Sequence, residues 1–164
     1  MKKLFATIIA VAFLTACGGE ANTAKDEAKT DNTEATAPEK DETPVGPPLV
    51  TVPDSAMVFF ANLTDGATVS SPVAVEFGVK GMEVEPAGEV KDGYGHHHVI
   101  IDGGVIPTGE TVPANDTHIH YGGGQTADTL TLAPGSHTLT MQFADGLHRS
   151  YGEQMAATIS ITVE

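Results

Sequence analysis

Residues 73–79 read VAVEFGV, with Val73, Val75, Phe77 and Val79 apolar at every second position. Successive residues of a strand point to opposite faces, so this spacing turns four apolar side chains one way and Ala74, Glu76 and Gly78 the other. The same alternation recurs in HTLTMQF, residues 137–143, where Leu139, Met141 and Phe143 share the inward face and His137 starts it. Working outward, the strand candidates are 57–61, 73–79, 97–101, 117–121, 129–132, 137–143 and 157–163, separated by Asp-Gly, Ser-Pro, Pro-Ala-Gly and Ala-Pro-Gly turns. No stretch sustains helical spacing. About seven short strands with turns of this kind predict an all-β fold, an antiparallel immunoglobulin-like β-sandwich over residues 55–164.

Seven histidines lie in that segment, against three other bases, Lys80, Lys91 and Arg149, and thirteen acids. Three are consecutive in GHHHVIIDGG, residues 95–104, and two more sit in THIHYG, residues 117–122. Histidines at i and i+2 of a strand share one face about 6.5–7 Å apart, and metal–imidazole bonds of about 2.0–2.1 Å let both rings converge on one ion. His96 with His98, and His118 with His120, meet that requirement. By parity His97 goes with Val99 and Ile101, either capping the core or in the preceding loop, while His96 and His98 belong near the mouth of the sandwich. His148, in the turn-rich FADGLHRSYG of residues 143–152, is placed to close the site from a loop. Asp102, Asp116 or Asp145 is available to fix an imidazole tautomer. His137 reads as structural, bonding a turn carbonyl while it starts a strand. Nitrogen ligation suits copper or zinc, with copper slightly ahead on affinity. The role expected is metal binding, buffering or delivery. A metal-free interaction module with a histidine hydrogen-bond network is the alternative, and a metalloenzyme the third reading.

Other classes are excluded. The net charge of −10 over residues 55–164 and the lack of a basic patch or aromatic platform argue against nucleic acid as a partner. The three glycines of YGGGQT, residues 121–126, lack the P-loop lysine and read as a tight turn with positive backbone dihedrals. Asn115-Asp116-Thr117 matches a glycosylation sequon that a bacterial lipoprotein would leave idle.

At the other end, MKKLFATIIAVAFLTAC has the charged start and short apolar run of a signal peptide, residues 1–16. Leu14-Thr15-Ala16-Cys17 resembles a lipobox, which makes Cys17 the lipidated residue and the membrane a partner through that anchor. Gly18-Gly19 after the cysteine points to the outer membrane if the cell envelope has two. Cys17 is the sole cysteine, so no disulfide and no thiolate metal site remain in the mature chain. Residues 17–54, the lipidated cysteine and an acidic, proline-bearing linker, read as a disordered tether of about 35 Å reach.

The order GMEVEPAG, GHHHVIID, THIHYGGGQT, APGSHTL and FADGLHRSYG resembles a bacterial secreted and lipoprotein family, domain of unknown function 4399, from about Val79 to the end. The resemblance implies importance for His96, His97, His98, Asp102, His118, His120, Gly122, Gly123, Gln125, Thr126 and His137. With Gln125, the residues expected to act structurally or behind the ligands are His97, Asp102 and His137. Some members carry a second histidine after the position of His148, where this chain has Arg149-Ser150-Tyr151, which counts against His148 as a ligand. The family brings no established activity.

Overall fold

The computed structural model describes residues 46–164. The expected signal peptide, Cys17 and the tether up to residue 45 lie outside the described residues.

Nine strands form among the described residues: β1 (Met57–Phe60), β2 (Ala67–Val69), β3 (Val73–Lys80), β4 (Glu83–Val84), β5 (Tyr94–Ile101), β6 (His118–His120), β7 (Ala127–Leu130), β8 (Gly135–Ala144) and β9 (Ala156–Val163). All seven expected strands are among them. The two additional ones, β2 and β4, span three and two residues, too short to show an alternation. One sheet has the order β1-β3-β7, and the other runs β2-β9-β8-β5-β4 with β6 also paired to β5. Most pairs are antiparallel, whereas β2 with β9 and β4 with β5 are parallel.

The core lies between the sheets. Val73, Val75 and Phe77 of β3 and Val58 and Phe60 of β1 meet Val99 of β5, Leu139, Met141 and Phe143 of β8, and Ile161 and Val163 of β9. Leu139, Met141 and Phe143 are fully buried, and each side chain of this size contributes about 1.5–3 kcal/mol by leaving water. Leu49, Val50 and Val52, which composition places in the tether, pack against this core too.

The larger sheet is covered on its other face as well. Ile100, Thr140, Gln142 and Ala144 point away from the core and are nonetheless fully buried. Loops after β5 and β8 do this. The Gln142 amide donates to Gly152 O at 3.0 Å, its oxygen accepts Ile106 N–H at 3.1 Å, and Thr140 Oγ1 donates to Gly103 O at 2.9 Å. Polar residues on a buried outer face are satisfied by the loop backbone, so the sheet tolerates them there.

Candidate metal centre

Strand β5 is where the two environments meet. Its inner edge pairs with β8 over residues 96–101, and its outer edge is divided between β4 at Tyr94 and Gly95 and β6 at His98 to Ile100. Parity does the rest. His97 faces the core, with its ring 5.4 Å from Phe77 and 5.0 Å from Phe143 between centroids. His96 and His98 face outward beneath the covering loops, wholly buried, which places them on the sheet's outer face and away from the mouth of the sandwich expected for them. His120 stands directly opposite His98 on β6.

His148 completes the group from the loop after β8. Its backbone is left-handed, with φ 66°, a conformation that costs a non-glycine residue energy and needs support from its surroundings. Asp145 supplies that support. Its fully buried carboxylate accepts the N–H groups of Leu147 and Arg149 at 2.9 Å each on Oδ1. Oδ2 takes Arg149 Nε at 2.8 Å, with Nη2 at 2.7 Å from the same oxygen. Arg149 thus braces the loop that carries His148.

The four rings face one another. His96 Nε2 lies 3.0 Å from His98 Nε2 and 3.1 Å from His148 Nδ1. One nitrogen from each of His96, His98, His120 and His148 falls within 4.8 Å of all the others, a set that could hold a metal ion. Burial, followed by the neighbouring imidazoles His148 and His120, lowers His96 to about 4. His98 falls to about 2 for the same reasons, burial first and His96 next. His120 is lowered in the same direction by burial and then by His148. The buried rings are therefore neutral at pH 7, with a lone pair on each, as ligation requires.

His118 is not in the cluster. It stands opposite Ile100 on β6, but its Nδ1 lies 3.2 Å from Asn115 Oδ1 and 3.1 Å from Thr117 Oγ1. The sequon residues account for this: Asn115 Oδ1 also accepts the N–H groups of Thr117 and His118 at 2.9 and 3.0 Å, a side-chain turn that starts β6 and captures the ring. Asp102 is occupied elsewhere. Its Oδ1 accepts Thr138 N–H and its Oδ2 pairs with His137 Nδ1, both at 2.9 Å, while His137 Nε2 bonds Ala133 O, the turn carbonyl expected of it. Gln125 Oε1 accepts Gly123 N–H at 2.9 Å and braces the glycine turn, without reaching the histidines. Asp116 is exposed. No carboxylate fixes the tautomer of His96 or His98 among the described residues, since the Nδ1 of each is buried without a protein partner.

The family model described as Domain of unknown function (DUF4399) matches residues 75–164, more than half of the chain. The chain belongs to the DUF4399 family. The matched region holds all four clustered histidines and every strand from β4 onward, so this DUF4399 domain contains its candidate site entire. No curated protein and no solved structure matches the chain.

Proposed function

We propose that the protein is a lipid-anchored envelope protein that binds a transition metal through His96, His98, His120 and His148, for buffering or delivery. The observation that carries this reading is the convergence of four ring nitrogens within 4.8 Å from two strands and a loop. A hydrogen-bonded network accounts for the geometry less well. His96 Nε2 faces two ring nitrogens at once, and a neutral imidazole nitrogen has either one proton or one lone pair to offer. A shared cation removes the conflict, because all four lone pairs then point at it.

Copper stands slightly ahead of zinc on the affinity order of nitrogen ligands for divalent metals. His96 and His98 form a closed floor and exposed His120 the outer ligand, an arrangement suited to exchange with a second carrier. The lipobox reading of Cys17 adds a membrane anchor, at the outer membrane if the envelope has two, with the domain held off the surface by the linker.

Calorimetry tests the site. Copper(II) and zinc are titrated into the chain lacking residues 1–17. One-site binding tighter than micromolar is expected, lost in His96→Ala/His120→Ala and kept within about twofold in His118→Ala. Weak binding indifferent to the first pair of substitutions would refute it. For the anchor, Cys17→Ser should move the protein from the membrane to the soluble fraction of the cells that make it.

A further inference from the structure

The glycine run of YGGGQT has a purpose that its turn does not explain. Of Gly122, Gly123 and Gly124, only Gly124 has a left-handed backbone, φ 76°. Gly122 has no conformational need to be glycine. A Cβ placed on it would instead fall 2.1 Å from Cε1 and 2.2 Å from Nε2 of His120, well inside van der Waals contact. The imidazole lies flush on the bare Cα.

Neither side of Gly122 is free to retreat. Before it, Tyr121 N–H donates to His97 O at 3.1 Å, and the buried Tyr121 ring is tied to Asp128 by its hydroxyl at 2.9 Å. Gly122 O itself accepts Ala87 N–H at 2.9 Å, and the turn closes from Gly124 N–H to Tyr121 O at 3.1 Å. When the backbone is fixed on both sides, an added methyl must displace the ring. His120 is exposed, so it has solvent to swing into.

We infer that Gly122 is a positioning residue of the metal site, keeping open the space in which the His120 ring completes the set over His96 and His98. This rests on the proposed metal reading for its functional consequence, but the ring's position can be examined without metal. The turn and the ligand are thereby one device. Gly123 serves as the control, since a Cβ there meets only the flexible end of Gln125, at 3.2 Å from Oε1.

The experiment is a double-substitution cycle in the chain lacking residues 1–17, with Gly122→Ala, His120→Ala, their combination, and Gly123→Ala. Copper(II) affinity is measured by calorimetry, and metal-free ring contacts by nuclear Overhauser effects between His120 and His96 or His98. Gly122→Ala should weaken copper roughly 10- to 100-fold, as removal of a ligand's support does elsewhere, yet change it by less than about twofold when His120 is already alanine. The His120 contacts should vanish in Gly122→Ala and persist in Gly123→Ala. Equal weakening in both backgrounds, or His120 contacts intact in Gly122→Ala, would overturn the assignment. If the parent chain binds no copper, the metal reading fails while the contacts still decide the role of Gly122. If Gly122→Ala unfolds, adding His120→Ala should restore folding by removing the clash, and failure to do so also overturns it.

Discussion

His97 and its two neighbours are the same residue type on one strand, and their surroundings share almost nothing. His97 is packed among Phe77, Phe143 and the apolar core, with both ring nitrogens unpartnered. His96 and His98 are just as buried, but their outward-facing rings meet His120 and His148. Burial alone therefore does not identify a site. The distinction is what the lone pairs face: aromatic carbon on one side of β5, and other lone pairs on the opposite side.

Four expected outcomes bear on that contrast, the largest effect first. His96→Ala/His98→Ala should abolish metal binding outright in calorimetry, because the floor of the site is gone while the sandwich core is untouched. Asp145→Ala should cost about 2–4 kcal/mol in denaturant unfolding, by leaving the Arg149 guanidinium partly buried without its carboxylate. Metal affinity should fall roughly tenfold in the same variant as His148 loses its brace. Third, His97→Leu should leave metal affinity within about twofold and hold or raise stability by up to about 1 kcal/mol, since two unpartnered buried nitrogens are removed at similar volume.

The smallest effect concerns half-buried His137 and exposed Asp102, a pair away from both environments. The hydrogen bond that His137 donates to Asp102, then the one it donates to the Ala133 carbonyl, raises His137 above 6.5, so its stabilising share is complete below that value and is lost as pH climbs through the raised one. Asp102 is held below 3.8, first by the Thr138 N–H and then by His137, and its share is present above that value and lost as pH falls through the depressed one. Asp102→Asn keeps an acceptor for Thr138 and removes the charge. The melting-temperature gap between parent and variant should be widest near about pH 5.5 and narrow by about pH 8.5, with a small amplitude because the Asp102 carboxylate is open to solvent.

Much of this was legible in the sequence because the side-chain period of a strand is two. VAVEFGV and HTLTMQF declared their core faces, and parity set His97 apart from His96 and His98 without deciding whether His97 caps the core or stands in the preceding loop. What parity could not show was the second layer. The outer face of β5 and β8 is buried by irregular loops held through Gln142, Thr140 and Ser150, and no periodicity marks them. His118 stays out of the cluster for a local reason, the Asn115 turn, which captures a ring that stands on the correct face. His148 joined the cluster because Asp145 and Arg149 pair four residues apart. An Asp–Arg spacing in a turn-rich segment does not reveal that a left-handed residue stands between them.

The most direct test follows the seven histidines together. In the chain lacking residues 1–17, with nitrogen-15 in every imidazole, one equivalent of zinc serves as a diamagnetic probe. Four ring spectra, those of His96, His98, His120 and His148, should move to metal-bound shifts and saturate at one equivalent, while His97, His118 and His137 stay as they are. Saturation through His118 or His137, or no specific set at all, would contradict a metal centre built on the outer face of β5.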